Sequence, residues 1–121
     1  MRFELHCHST RSDGSDTPEQ LVARAAQFEI AVFAVTDHDT CTAASVPGAR
    51  NLRASELTVE ADGETIHVLA YDRGGDWSLL ERELDVMRES RRDRLRVMAG
   101  RLEALAVAVD VEPLLVEGKA I

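Results

Sequence analysis

The stretch Glu4-Leu5-His6-Cys7-His8-Ser9 opens the chain and is the segment from which its fold can be worked out. If residues 2–8 form a strand, the two-residue period of a strand places Glu4, His6 and His8 on one face. Neutral imidazole is the commonest metal-binding side chain. The pattern predicts one arm of a metal site at the C-terminal end of a first strand. Taken alone, it is more typical of a surface strand with two solvated histidines.

Composition limits the classes of protein to which the chain can belong. Its 121 residues, 45% of them hydrophobic, predict one domain with a single core. A net charge of −8 argues against a broadly basic surface for long nucleic acid, but it is compatible with a small phosphorylated substrate, because bound metals reverse the sign of the charge at a site. No apolar run reaches the roughly 20 residues that a membrane span needs, and no signal peptide precedes residue 4, so we expect a cytoplasmic protein without a membrane partner.

Cysteine is too scarce to define the fold. Cys7 and Cys41 are the two cysteines of the chain, and they lack the spacing of a zinc site. The two-residue period turns Cys7 away from His6 and His8, so we interpret it as a small packing residue.

A helix and a second strand follow the opening stretch. Thr17 as N-cap, Pro18 at the first helical position and Gln20 three residues after the cap predict a helix start. An apolar stripe at helical spacing then predicts the buried face, which comprises Leu21, Val22, Ala25, Ala26 and Phe28. The continuous apolar run at residues 30–35 predicts a parallel strand. Strand, helix and strand form a βαβ unit, so the fold class is α/β.

Polar residues stand where the second apolar run stops, in the stretch Thr36-Asp37-His38-Asp39-Thr40. Sites in α/β folds are built at the C-terminal ends of strands, so we expect His38 to lie at the same end of the sheet as His6 and His8. The alternative for this stretch alone is a solvated turn with a helix cap at Asp39 or Thr40.

A hairpin is predicted next, because Asp62-Gly63 between residues 52–61 and 64–71 is a strong signal for a two-residue type I′ turn. The predicted register pairs Ala61 with Glu64, Thr58 with His67 and Glu56 with Leu69. Glu56 and His67 then share a face on a diagonal of roughly 7–8 Å, and their side chains can converge on one ion. A slip of one residue would remove this arrangement.

The last third of the chain is charged and helical. Residues 76–106 carry leucines and methionines at three- and four-residue spacings, which predicts a long helix, and residues 107–111 predict a short strand. A run of five arginines lies within the helix, namely Arg88, Arg91, Arg92, Arg94 and Arg96. We favour a solvated face with pairing of Glu89 to Arg92 and of Asp93 to Arg96 over a phosphate-binding face.

The collected residues suit metal chemistry. Imidazole and carboxylate donors favour Zn²⁺, Mn²⁺ or Fe²⁺ over Mg²⁺. The set comprises His6, His8, Asp13, His38, Glu56 and His67. A carboxylate such as Glu56 can bridge two metals that activate a water.

In sequence order these motifs resemble those of the PHP (polymerase and histidinol phosphatase) superfamily. The resemblance rests on Leu5-His6-Cys7-His8-Ser9 with Ser12-Asp13-Gly14, Ala34-Val35-Thr36-Asp37-His38-Asp39-Thr40, Ser55-Glu56 and Ile66-His67. It is greatest to the small stand-alone phosphoesterases, which act on nucleoside 3′,5′-bisphosphates and on the 5′ ends of short oligonucleotides.

The resemblance implies a fold and a mechanism. The fold would be a distorted seven-stranded β/α barrel, TIM-like, with two or three divalent ions (Mn, Zn or Fe) at its rim. His6 and His8 would hold one metal, Glu56 would bridge it to a second bound by His67, and Asp13 with His38 would hold a third. A metal-bridging hydroxide would attack the phosphorus of a nucleotide or short oligonucleotide.

Three departures from the family pattern qualify the resemblance. Glu4 stands where the family has Asp. Glu29 follows the first helix where Gly is usual, at a cost of about 1–2 kcal/mol if that residue is left-handed. The ligand histidine of a Gly-Arg-Pro-His segment and a final Asp-x-His are both absent. We therefore expect residues 1–121 to be a single PHP-type domain truncated at its C-terminus, an incomplete N-terminal part of the barrel with one open edge.

Two classes of function follow. The first is a metal-dependent phosphoesterase, whose activity in this chain depends on the missing ligands. The alternative is a non-catalytic binding or assembly module that self-associates through the open edge. A third hypothesis keeps the superfamily but changes the reaction, to histidinol-phosphate hydrolysis or a polymerase-associated activity.

Overall fold

A four-stranded sheet and two α-helices make up the computed structural model, which describes residues 1–46, 51–72 and 74–115. The strands are β1 (Arg2–Cys7), β2 (Ile30–Val35), β3 (Asn51–Ala61) and β4 (Glu64–Tyr71), and the α-helices are α1 (Pro18–Gln27) and α2 (Ser78–Glu103). Strand order in the sheet is β1-β2-β3-β4, with β1, β2 and β3 parallel and β4 antiparallel. The α/β class and the βαβ unit are confirmed.

Helix α1 begins as its sequence predicts. The Thr17 hydroxyl accepts a hydrogen bond from the Gln20 amide, and the Gln20 side chain accepts one from the Thr17 amide at 2.7 Å. Ala25 is buried, and it joins Phe33 and Val35 of β2 in the core.

The predicted apolar stripe of α1 is wrong at its last two positions. Ala26 is exposed, because it turns away from the face that buries Ala25. Phe28 is 54% exposed, since the helix ends at Gln27 and Phe28 is already its C-cap. Glu29 follows with φ 55°, the left-handed conformation in which a side chain is costly.

The hairpin of β3 and β4 has the predicted register. Thr58 is opposite His67, and Glu56 is opposite Leu69. Asp62 and Gly63 both have positive φ, 53° and 81°, as a type I′ turn requires. Glu56 and His67 therefore lie on one face of the sheet.

Strand β1 is irregular in its middle. Glu4 is opposite Phe33 and Cys7 is opposite Val35, so three residue steps on β1 match two steps on β2. This bulge interrupts the simple alternation predicted for Glu4, His6 and His8. Glu4 borders, together with Cys7, a groove between β1 and α1.

Helix α2 buries little of its surface. Leu84 is its one buried residue, whereas several residues of the predicted apolar series are at least 39% exposed, namely Leu79, Met98, Leu102 and Leu105. The predicted strand at residues 107–111 is wrong, because a strand needs a backbone partner and no described strand pairs with this segment. The predicted turn at Pro47-Gly48 lies outside the described residues. None of the described helices is both long and apolar enough to cross a membrane.

Candidate metal centre

The six predicted site residues lie together at one end of the sheet. His6 is near the end of β1, and His8 directly follows that strand. His38 follows β2. Glu56 of β3 and His67 of β4 lie on the same face of the hairpin. An isolated parallel bridge joins His38 to Glu56, so the loop after β2 continues the pairing with β3. The Asp39 amide donates to the Glu56 carbonyl at 2.9 Å, and the Glu56 amide donates to the Asp37 carbonyl at 3.1 Å. The backbone thus fixes His38 beside the carboxylate.

Glu56 is the point on which the four histidines converge. His6 Nε2 and His8 Nε2 lie 2.9 Å and 3.0 Å from its Oε2. His67 Nδ1 lies 3.0 Å from its Oε1, and His38 Nε2 lies 4.0 Å from Oε2. Both carboxylate oxygens therefore have imidazole neighbours.

The environment of Glu56 favours its ionised form. Burial raises the pKa of this carboxyl, but the hydrogen bond from His6 and the nearby charges of His38, His6 and His8 outweigh burial. The pKa of Glu56 is therefore lower than its usual value, and the carboxylate is available as an anionic ligand.

Asp13 completes the set from a loop. Its Oδ1 lies 3.0 Å from His8 Nδ1, and its Oδ2 lies 3.7 Å from His38 Nε2. The next residue, Gly14, passes so close to β1 that a Cβ atom there would lie 2.1 Å from the His8 carbonyl oxygen. Glycine at position 14 thus lets the loop bring Asp13 against His8.

Three overlapping groups of donors result. In each group the ligand atoms lie within 4.8 Å of one another. The groups are His6, His8 and Glu56; His8, Asp13 and His38; and His38, Glu56 and His67.

The sequence did not predict a role for Asp37, which binds the loop that carries Asp13. It is fully buried, and it accepts hydrogen bonds from the Ser9 amide at 2.6 Å, the Ser9 hydroxyl at 2.7 Å and the Ser12 hydroxyl at 2.7 Å. These bonds tie the loop after β1 to the end of β2. Ser9 and Ser12 are 28 and 25 residues from Asp37 in the sequence, so local spacing could not predict this contact.

Asp39 is buried as well, so its interpretation as a cap in a solvated turn is wrong. Its side chain accepts hydrogen bonds from the Thr58 amide at 2.8 Å and the Thr58 hydroxyl at 2.9 Å. Arg91 of α2 lies 2.5 Å from its Oδ2, and Arg88 donates to its carbonyl oxygen. Asp39 therefore joins α2 to the hairpin.

The solvated arginine face of α2 is confirmed in part. Arg92 pairs with Glu89 at 3.2 Å, and Arg96 pairs with Asp93 at 2.8 Å, as predicted. The prediction is wrong for Arg88 and Arg91, because the helix lies over the site and turns both toward Asp39.

A cavity of about 720 Å³ opens between α2 and the hairpin beside the histidines. Asp13, His38 and His67 form its site end. The rest of its lining comprises Thr58, Glu60 and Thr65 from the hairpin and Met87, Ser90, Arg91 and Arg94 from α2. The cavity thus has both carboxylates and guanidinium groups on its walls.

Comparison with known proteins gives a family and several relatives. The family model described as PHP domain matches residues 4–100. The chain is 35% identical over 114 residues to the 3′,5′-nucleoside bisphosphate phosphatase of Chromobacterium violaceum. This alignment covers 88% of this chain and 40% of that protein. It is 33% identical over 111 residues to the 5′-3′ exoribonuclease Rnm of Escherichia coli, covering 84% and 38% of the two chains.

A solved structure is similar as well. It is an amidohydrolase from Chromobacterium violaceum with bound sulfate and no metal, and it matches with a TM-score of 0.68 and 33% identity over 90% of this chain and 41% of that one. Its sheet and this one share the curled half of a barrel. The chain spans about two fifths of the length of the relatives that it matches.

Proposed function

Because the chain belongs to the PHP domain family, we propose that its cluster of imidazoles and carboxylates binds divalent metal ions and serves a phosphoesterase that acts on nucleotides or short oligonucleotides. The observation that carries this proposal is the convergence of four histidines on Glu56, with Asp13 closing the set.

The donor set fits such ions. Nitrogen and carboxylate oxygen donors within 4.8 Å of one another suit Mn²⁺, Zn²⁺ or Fe²⁺. His6 and His8 would hold one ion with Glu56, and Asp13 with His38 would hold another. Glu56 with His67 would hold a third, so Glu56 is shared. Cys7 lies outside the three donor groups, because its thiol donates to the Ala34 carbonyl at 3.4 Å and borders the groove between β1 and α1.

Bound divalent ions would supply Lewis acidity, which activates water and offsets charge on a phosphoryl group. The chain's own residues prepare the site for an anion. Because the net charge is −8, a phosphate ester approaches an acidic protein, and positive charge at the cavity must offset that repulsion. Arg94 lines the cavity, and it forms no ion pair with any of the other described residues. Arg91 lines it too, but its guanidinium is engaged by Asp39.

The substrate class rests on the relatives. One is a 3′,5′-nucleoside bisphosphate phosphatase and the other is a 5′-3′ exoribonuclease. The substrates that these names imply are all phosphate esters of nucleotides. A cavity of about 720 Å³ with Arg94 on one wall and His67 on the other can admit a ligand of nucleotide size. This supports a nucleotide or a short oligonucleotide over a long nucleic acid.

Metal binding and hydrolysis test the proposal together. We expect the chain to retain Mn²⁺, Zn²⁺ or Fe²⁺ by elemental analysis, and to melt at a higher temperature when each ion is added. Glu56→Gln should abolish most of the binding, whereas Glu83→Gln on the exposed surface of α2 should leave it unchanged. Release of phosphate from a 3′,5′-bisphosphate should follow metal content. A chain that neither binds an ion nor shifts its melting temperature would contradict the proposal.

The exposed apolar residues of α2, and the edge of β4 with which no described strand pairs, favour a second candidate, a binding module that self-associates. Sedimentation velocity over a hundredfold range of concentration distinguishes the two. For a module, association should persist in His38→Ala and Glu56→Gln, and no ion should be retained by the parent chain. Retained metal with a monomeric chain would exclude the module.

A further inference from the structure

The hydroxyl of Tyr71 links the two outer strands of the sheet. It donates a hydrogen bond of 2.7 Å to the carbonyl oxygen of Leu5, so it joins the last residue of β4 to the middle of β1. Strands β2 and β3 lie between them, which would separate β1 from β4 by about 14 Å in a flat sheet. The bond therefore spans the concave side of a curled sheet, the side on which the site lies.

The accepting carbonyl is at the irregular point of β1. The register shift between Glu4 and Cys7 leaves Leu5 and His6 without a regular pairing to β2. In place of that ladder, the His6 amide donates to the Glu4 side chain at 3.0 Å, and the Leu5 carbonyl accepts from Tyr71. Bulges beside active sites redirect a side chain, and here that side chain is His6.

His6 is the most exposed of the residues that reach Glu56 from the parallel strands. Its side chain is 49% exposed, against 20% for His8 and 19% for His38. Its ring contacts Glu56 and lies 5.2 Å from the ring of His8, and the backbone of the bulge sets the position from which it reaches them. The peptide group that Tyr71 holds is the one between Leu5 and His6.

We propose that Tyr71 is a positioning residue: by binding the Leu5 carbonyl it fixes the bulge of β1 and holds His6 in the direction that the first ion requires. This inference rests on the proposed metal function and adds a residue that touches no ion. Groups that orient a ligand without binding the metal commonly change metal affinity by about 10–100-fold.

Tyr71→Phe is the decisive variant, because it removes the hydroxyl and keeps the ring. We expect the affinity for the ion held by His6, His8 and Glu56 to fall about tenfold, measured by calorimetric titration with Zn²⁺. Titration with Co²⁺ should give a visible spectrum that differs from that of the parent chain, which is a change in ligand geometry and not in stability. Ile66→Thr on the opposite face of β4 is the matched control, and it should bind both ions as the parent does.

A double-variant cycle keeps the test independent of folding. If Tyr71 acts through His6, then Tyr71→Phe should have no further effect on metal affinity in a His6→Ala chain. Equal losses in both backgrounds, or an unchanged Co²⁺ spectrum in Tyr71→Phe, would overturn the inference and leave the proposed metal site standing. Failure of the parent chain to bind Zn²⁺ or Co²⁺ would overturn both.

Discussion

Asp37 and Asp39 flank His38 in the sequence, and both accept hydrogen bonds from backbone amides around the site. Asp37 binds the loop that carries Asp13, and Asp39 binds Thr58 in β3. Both carboxylates are fully buried, and each is satisfied by hydrogen bonds that also fix a neighbouring segment. Asp37 and Asp39 thus fix the position of His38 without binding a metal themselves.

Replacing Asp37 with Asn should destabilise the chain by about 2 kcal/mol, because an amide has one oxygen to receive three donors and leaves buried groups unpaired. Urea unfolding followed by circular dichroism measures the change. Asp16→Asn is the control, since Asp16 pairs with the exposed Arg24 and its loss should cost no more than about 0.5 kcal/mol. Equal losses in the two variants would contradict the role given to Asp37.

Glu29→Gly should stabilise the chain by about 1 kcal/mol, because φ 55° is costly for a side chain and free for glycine. The midpoint of urea unfolding should rise. Ala23→Gly, at an exposed position in the interior of α1, should lower it by a similar amount, since glycine is unfavourable inside a helix. A fall in both variants would show that Glu29 is not strained.

Among the secondary-structure elements, α2 depends on a few polar contacts. Leu84 is its one buried residue, so packing contributes little. Arg91 reaches the buried carboxylate of Asp39, and Arg53 of β3 lies 3.6 Å from Glu81 in the first turn. The helix is thus attached to the sheet and the loop after β2 by ion pairs, of which the Arg91–Asp39 contact is also a hydrogen bond.

Arg91→Met should destabilise the chain by about 3 kcal/mol, because it leaves the carboxylate of Asp39 buried without its cation. Thermal unfolding and the exchange rates of α2 amides report the effect. Arg96→Met removes a guanidinium from the same helix whose partners Glu89 and Asp93 are on the surface, and it should change stability by less than about 0.5 kcal/mol. Similar losses in both variants would mean that Asp39 does not anchor the helix.

Local signals predicted the elements that depend on local physics. The capping box at Thr17 and the Asp62-Gly63 turn each specify a structure within a few residues, and both were found at the predicted positions. The bulge in β1 could not be predicted, because it arises from the match between β1 and β2 and from Tyr71, which is 66 residues from its partner. The contact of Arg91 with Asp39 depends in the same way on where a helix lies over the sheet.

In the whole molecule, burial of apolar side chains is concentrated in β2. Phe33, Ala34 and Val35 of β2 are at most 3% exposed, whereas α2 leaves Val97, Met98 and Leu102 at least 39% exposed. Local opening is easiest where few apolar contacts are buried. Strand β2 is therefore the best-buried element of the described chain, and we expect the second half of α2 to open before it.

Hydrogen exchange measured by mass spectrometry should show this difference. We expect amides of β2 to exchange at least about 100-fold more slowly than those of residues 95–103, because the sheet opens only with global unfolding. The unfolded chain in urea gives the reference rate for each peptide. Equal protection of both segments would show that α2 is held as firmly as the sheet.

The order of the strands in the sheet repeats their order in the chain, and this has a consequence for how the protein folds. The β3–β4 hairpin closes a two-residue loop, whereas β1 must wait for the longer crossover through α1. We expect Glu56 and His67 to meet first, on the microsecond scale of a hairpin. His6 and His8 would join when β1 docks, so the nascent site would hold a carboxylate and one imidazole before it gains the others.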